Sequence, residues 1–323
     1  MIRVLVTGGA GFVGYHLAKM LADEGSEVVV VDNFRRGRRD ADFEVLLERP
    51  NVKLVIADLT DPRALDVMPG GFDEVYHLAA INGTKYFYEI PVEVFRANML
   101  STINVLEWFQ AKNGKGRFLF TSSSEGYAGA VSAGLAPVPT PEDVPLVVED
   151  PTNVRWSYGA PKIAGEVLLH AYRAEYKTDV VVVRFHNFYG PRMGEEHVLP
   201  QFIRRALAKT DPFPLYGGEE TRAFCYVDDG IAGTIAAMRK GRSGETYHLG
   251  TRDEQKIRDV ATALFGVMDF HPQLDIKPAP AGSVARRVPD ISKAEKELGY
   301  GPTVSLEDGL RRMVVWYQAH QAK

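Results

Sequence analysis

Tyr158 and Lys162 stand four positions apart in a stretch that reads as the first turns of a helix, Ser157–Tyr176. That spacing puts a phenol and an ammonium on one helix face. A phenol with its ordinary pKa near 10 is a poor base at neutral pH, and a neighbouring cation favours the phenolate. A fall of about three units is worth roughly 4 kcal/mol, which the lysine and a second bound cation could supply together. The expectation is therefore a Tyr158 hydroxyl made more acidic by Lys162. Tyr-x-x-x-Lys alone occurs often by chance. It gains weight from a serine cluster, Ser122-Ser123-Ser124, that ends a strand, and from a glycine loop at the amino terminus.

That loop is Thr7-Gly8-Gly9-Ala10-Gly11-Phe12-Val13-Gly14, between a strand at Ile2–Thr7 and a helix at Phe12–Glu24. Gly8 permits a tight turn, Gly11 lets backbone approach a pyrophosphate, and Gly14 lets helix pack close on strand. The helix amino terminus offers free N–H groups and the positive end of its dipole to phosphates. Asp32 ends the second strand 18 residues beyond Gly14. A carboxylate there accepts hydrogen bonds from an adenosine ribose and repels a 2′-phosphate, so NAD is expected rather than NADP. Arg35 and Arg36 argue the other way. Asp58, after the third strand, is open between two roles: receiving the adenine edge, or capping the next segment.

The elements that would position these groups alternate. Strands read at Ile2–Thr7, Glu27–Asp32, Val52–Ala57, Glu74–Leu78, Arg117–Ser122 and Val180–His186, with helices at Phe12–Glu24, Val92–Lys112 and Ser157–Tyr176. Such alternation predicts an α/β, Rossmann-type doubly wound parallel sheet. The run Val28-Val29-Val30-Val31 fits a strand covered on both faces. Gly25 would stop the first helix, Ser157 would cap the third, and Pro161 would fall in its first turn. After about residue 187, prolines and glycines punctuate the chain, with helices near Leu199–Ala208, Asp229–Arg239 and Ser305–His320. The expected division is a dinucleotide-binding domain over 1–186 and a smaller mixed α/β substrate lobe over 187–323. Segments near 222–240 would return to the first domain, with Phe224–Val227 as a strand that could rejoin its sheet.

Composition sets bounds. The 323 residues carry a net charge of −4, so no basic field argues for nucleic acid or an anionic membrane. The basic run Arg35–Arg39 reads as a solvated loop. No apolar run approaches the length of a membrane span. A single cysteine, Cys225, leaves no internal disulfide and fits a reducing compartment. The chain opens on a strand rather than a leader, so a cytoplasmic location is expected. The eight histidines show no metal-ligand spacing, and no metal is expected.

Taken together, Thr-Gly-Gly-x-Gly-x-x-Gly, His77-Leu78-Ala79-Ala80, Tyr158-x-x-x-Lys162, Arg184-Phe185-His186-Asn187 and Pro289-Asp290-Ile291-Ser292-Lys293-Ala294 resemble the extended short-chain dehydrogenase/reductase superfamily. More narrowly, the chain is similar to its NAD-dependent nucleotide-sugar epimerase/dehydratase branch, in the manner of UDP-glucose and UDP-glucuronate 4-epimerases. The resemblance covers nearly the whole chain. It implies that Phe12, Val13, Asn33, Leu59, Leu78, Ala79, Ala80 and Asn98 join the glycine loop, Asp32 and Asp58 around NAD.

The resemblance also assigns chemistry. Ser123 falls on the family's catalytic Ser/Thr, Tyr158 is the base that takes a proton from a sugar hydroxyl, and Lys162 holds the nicotinamide ribose. Ser124, Asn187, Leu199, Tyr216, Arg222 and one of Arg286 or Arg287, with Arg287 the better fit, are expected at the nucleotide-diphosphate sugar, with a UDP-sugar favoured. In the loop Asn82–Tyr88, Thr84 and Lys85 are expected near the sugar, and Tyr86, Phe87 and Tyr88 are open between packing and binding. A homodimer built from Val92–Lys112 and Ser157–Tyr176 is implied.

Glu125 points both ways. In the family's dehydratases and UDP-glucuronate decarboxylases a glutamate here acts near carbon 5, whereas simple 4-epimerases carry a neutral residue. Dehydratases place an aspartate before it, where this chain has Ser124. Decarboxylases share the Ser-Glu pair, but their tyrosine segment differs from Trp156–Lys162. The leading expectation is an epimerase acting at carbon 4 through a transient 4-keto sugar. A dehydratase or decarboxylase using Glu125 is the alternative, and an NAD-dependent oxidoreductase that releases its product stands behind both.

Overall fold

The computed structural model describes residues 1–279 and 284–320. Six strands lie within one residue of the expected bounds: β1 (Arg3–Thr7), β2 (Glu27–Asp32), β3 (Val52–Ile56), β4 (Glu74–His77), β5 (Arg117–Ser123) and β6 (Asp179–Phe185). The helices among them are α1 (Phe12–Asp23), α2 (Ala41–Leu47), α3 (Thr84–Glu89), α4 (Pro91–Trp108), α5 (Ala128–Ser132) and α6 (Trp156–Tyr176). Gly25 ends the first of these in a left-handed backbone, φ +87°, as a glycine after a helix does. α4 runs on through a π turn at Phe109–Asn113.

The later elements are β7 (Phe188–Tyr189), α7 (Val198–Leu207), β8 (Phe213–Tyr216), β9 (Thr221–Ala223), β10 (Cys225–Tyr226), α8 (Val227–Lys240) and β11 (Thr246–Leu249). They are followed by β12 (Glu254–Lys256), α9 (Ile257–Met268), β13 (Leu274–Lys277), β14 (Arg286–Arg287), α10 (Ser292–Leu298) and α11 (Leu306–His320).

The main sheet has seven parallel strands in the order β11-β6-β5-β4-β1-β2-β3. Chain direction through the sheet reverses between β1 and β4, where a doubly wound fold opens its ligand crevice. Apolar layers cover both faces. Val4, Val6, Val28 and Val30 face one, with α1; Leu5, Val29, Val31 and Phe118 face the other, with Val105 and Leu169 of α4 and α6. Among the described residues, three small sheets complete the lobe: β10 on β7, β13 on β8, and β9 between β12 and β14.

Two local expectations are corrected. β10 pairs with β7 and not with the main sheet; the strand that rejoins it is β11, in register from Thr246 opposite Val182 to Leu249 opposite Phe185. A strand parallel to its neighbour must be delivered by a crossover, and α8 supplies it only after β10 has passed. Ser157 does not cap α6: the helix starts at Trp156 with Arg155 already in helical conformation, and the Ser157 hydroxyl is buried without a partner. That earlier start carries Pro161 past the first turn, into the helix body.

α6 sits close on β5 because Gly165 lacks a side chain; a Cβ there would run into the Phe120 ring, itself fully buried. Gly165→Ala is expected to lower stability by about 1–3 kcal/mol in urea unfolding through overpacking, although alanine is the better helix former.

Candidate active site

The carboxyl ends of the parallel strands and the lobe enclose one cleft of about 1010 Å³. At its amino-terminal side the glycine loop turns with Gly8 at φ +69°. A Cβ on Gly14 would collide with the Gly8 carbonyl, so helix and strand touch as a dinucleotide loop requires. α1 has no side-chain cap and no acidic residue in its first turn, which leaves its amino-terminal N–H groups to the cleft. Asp32 accepts from the Ala10 N–H at 3.0 Å and the Phe34 N–H at 2.8 Å. Burial raises its pKa, against those backbone bonds. This cradle fits a dinucleotide pyrophosphate and ribose.

Gly8, Gly11, Phe12, Val13, Asn33, Asp58, Leu59, Leu78, Ala79 and Ala80 all line the same side. Asp58 makes neither a bare rim nor a helix cap. It closes a turn on Thr60, accepting from its N–H at 2.9 Å and hydroxyl at 2.8 Å, while Asp61 caps the next segment. Arg35 and Arg36, which argued for a 2′-phosphate, are each matched to a carboxylate: Arg35 to Glu93, and Arg36 to Glu196 with its guanidinium 4.3 Å from the Tyr86 ring.

Deeper in, the end of β5, the 3-10 turn Ser124–Gly126 that follows it and α6 bring Ser123, Glu125, Tyr158 and Lys162 around the cleft. Lys162 Nζ donates to the Thr121 carbonyl at 2.7 Å. Burial pulls its pKa down to about 7, with Glu166 pulling the other way. Tyr158 departs from the sequence expectation. Burial raises its pKa, Ser123 lowers it through a side-chain hydrogen bond, and Glu125 raises it again. Desolvation of the phenolate therefore outweighs the help of its neighbours in the protein alone. Phe87 of α3 stacks on Tyr158, with ring centroids 5.0 Å apart and planes 13° apart. This fixes the phenol and assigns one of the open loop aromatics; Tyr86 and Tyr88 also line the cleft.

Glu125 lies between two guanidinium groups. Arg155 reaches one carboxylate oxygen at 2.7 Å, and Arg287 the other at 2.7 Å. Burial would raise its pKa, but Arg287 and Arg155 outweigh it and hold the carboxylate below its ordinary range. Arg287 is thus the cleft arginine of the adjacent pair, and Arg286 turns outward to Glu254 at 2.7 Å. Arg222 also lines the cleft, paired with Glu220 at 3.0 Å; burial and Arg287 draw its pKa to about 10, still cationic at neutral pH. Thr84, Ser124, Asn187 and Tyr216 complete the expected set that the cleft brings together.

Three expected residues are elsewhere. Lys85 points to Glu89 one turn on, 3.8 Å away and largely exposed. Leu199 is fully buried in the core. Asn98 is buried behind the wall, accepting from the Ile81 N–H at 2.8 Å and donating to its carbonyl at 3.2 Å. Its length and amide suit bracing that backbone better than touching a ligand. Sequence reasoning missed Arg155, whose sole signal is its place one turn before Tyr158, and Arg192, which is buried at the glycine loop on Asp40 at 2.9 Å. Among the described residues no cluster of three metal-binding side chains occurs, and no helix is long and apolar enough to cross a membrane.

Known proteins are similar to this chain along nearly its whole length. A UDP-N-acetyl-alpha-D-glucosaminuronate decarboxylase of Bacillus cytotoxicus is 33% identical over 98% of both chains. UDP-glucuronic acid decarboxylase 1 of Arabidopsis thaliana is 34% identical over 97% of this chain and 69% of its own. Among solved structures, a UDP-glucuronic acid 4-epimerase of Bacillus cereus in complex with UDP-glucuronic acid and NAD superposes with a TM-score of 0.85 at 28% identity, covering 98% of this chain and 99% of its own. A dTDP-glucose 4,6-dehydratase of Streptomyces venezuelae with NAD bound gives 0.88 at 29%, covering 99% and 98%. Residues 4–250 match the model of the NAD dependent epimerase/dehydratase family. With the cradle, the parallel sheet and these relatives in agreement, the chain belongs to that family of NAD-dependent enzymes.

Proposed function

We propose that the protein decarboxylates a nucleotide-diphosphate uronate, with UDP-glucuronate or its 2-acetamido counterpart the leading candidates. The observation that carries this reading is Glu125 held ionised between Arg155 and Arg287 beside Tyr158. Two guanidinium groups around one carboxylate leave a net positive charge, which suits a sugar carboxylate on carbon 5. The same pairing disfavours a dehydratase. Taking a proton from carbon 5 favours a carboxylate with a raised pKa, whereas Glu125 is held below its ordinary range with each oxygen already facing a guanidinium. A simple hexose epimerase has no use for a cation there. The epimerase expectation therefore gives way to the lyase, and the similarity to two uronate decarboxylases supports the change.

Bound NAD supplies a reversible hydride acceptor at carbon 4. Asp32 and the amino end of α1 would hold its ribose and pyrophosphate, and Lys162 the nicotinamide ribose. Ser123 accepts from the Glu125 N–H at 3.2 Å and directs its own proton toward Tyr158. That bond favours the phenolate that takes the carbon-4 hydroxyl proton. The 4-keto uronate so formed is a β-keto acid. Its bond between carbons 5 and 6 breaks, carbon dioxide leaves, and the electron pair passes to the ketone oxygen, where Tyr158 and Ser123 stabilise it with their protons. Protonation of carbon 5 would follow, and returning the hydride to carbon 4 would leave no net redox change. Asn187, Arg222 and Tyr216 would hold the nucleotide diphosphate.

Helices α4 and α6 lie side by side and leave Val92, Phe95 and Val167 exposed, a face that suits a second copy of the chain. A single buried cysteine suits work in a reducing cytosol.

With UDP-glucuronate and NAD, mass analysis is expected to find a product lighter by one carbon dioxide. A product of unchanged mass would restore the epimerase, and loss of water would restore the dehydratase. Tyr158→Phe should lower turnover by about 10²–10⁴-fold while NAD still binds in calorimetry. Arg287→Gln should slow carbon dioxide release by roughly 10²–10³-fold. Light scattering should give twice the chain mass, and Phe95→Asp/Val167→Asp should return it to one.

A further inference from the structure

Behind the cleft lies a charge cluster that the decarboxylation leaves unused. Glu166 is one turn beyond Lys162 on α6, and both are 4% exposed. The two do not touch: both Glu166 oxygens are taken by other groups. One accepts from the Ser122 hydroxyl at 2.5 Å and from Arg184 Nε at 2.9 Å, and the other from Arg184 Nη2 at 2.7 Å. Arg184 is fixed in turn by the Glu142 carbonyl at 3.0 Å and by His248 at 3.3 Å.

The placement of Ser122 gives the cluster its reach. It lies between Thr121, whose carbonyl receives Lys162, and Ser123, which bonds Tyr158. Glu166 therefore grips β5 at the residue between the two contacts that align the reacting pair.

We propose that Glu166 is a positioning residue for the reaction: it ties the end of β5 to α6 and supplies the negative charge opposite Lys162. This rests on the reading of Tyr158 as base and Lys162 as its cationic partner. The other groups around Lys162 leave Glu166 that task. His77 of β4 is buried and neutral, with its pKa pulled to about 3 by burial and by Lys162 itself. Tyr158, on the same helix, is a phenol. Glu125, beyond β5, faces Tyr158 and is matched by two arginines. Arg184 of β6 is bound to Glu166. Burial draws the Lys162 pKa down to about 7 even with Glu166 pulling the other way, so loss of Glu166 would take it lower.

The test uses Glu166→Gln, which keeps the Ser122 contact, and Glu166→Gln/Arg184→Met, which removes the buried pair together and avoids a stranded guanidinium. The Lys162 signal is followed by NMR in protein labelled with ε-13C lysine, without added NAD, and is assigned by its loss in Lys162→Met. In Glu166→Gln its titration midpoint should fall by about one pH unit, a tenfold loss of proton affinity, and in the double variant, which removes a cation as well, it should fall by less. With substrate and NAD, the alkaline limb of kcat should move the same way while KM stays within about twofold. An unchanged midpoint in a folded variant overturns the proposal, as does failure of both variants to fold, which would make the cluster purely structural. If no uronate is turned over by the wild type, the decarboxylase reading fails and the NMR midpoint still decides the role of Glu166.

Discussion

Lys162, Glu166 and Arg184 are each 4% exposed, and taking such ions out of water costs several kcal/mol apiece unless close partners return it. That condition is met at the ends of β5 and β6. Glu166 and Arg184 bind each other through two contacts, Lys162 reaches a strand carbonyl, and Gly165 lets α6 come near enough for all three. The parallel sheet matters here as a frame. Its strands are covered on both faces, so they cannot shift to relieve a poorly paired charge. The same frame explains the raised pKa of the Tyr158 hydroxyl: an environment dry enough to strengthen every contact also penalises the phenolate until further positive charge arrives.

The parts of the fold that depend on local pattern were legible. Unbroken valine runs, glycines at a strand-to-helix turn and the spacing of Tyr158 and Lys162 each depend on a few adjacent residues, and the six strand positions came out within one residue. What depended on distant partners was not legible. The cleft pairing of Arg287 needed β14 to lie beside β9. Arg155 needed α6 to begin before Ser157. Lys85 and Leu199 show the converse error, because a loop's place beside a site does not say which way a side chain turns. Lys85 turned outward to Glu89 and Leu199 inward to the core.

In the proposed reaction the opening step is removal of a proton and a hydride from carbon 4, and the decarboxylation follows it. The residues for the opening step sit on rigid strand and helix ends. Glu125, to which the proposal gives the later chemistry, takes its character from Arg155 and Arg287. Changing a reaction in such a scaffold is a matter of changing which charges surround one carboxylate, with the hydride machinery left as it is.

The contact between residues 125 and 287 also bears on how the protein comes into being. Chains emerge amino terminus first as they are made, so the glycine loop and strands β1 to β6 leave the ribosome before β14 does. Until it does, Glu125 lacks one of the two cations that hold it ionised. On the proposed reading, the charge pattern that sets the reaction is completed only when one of the last strands takes its place.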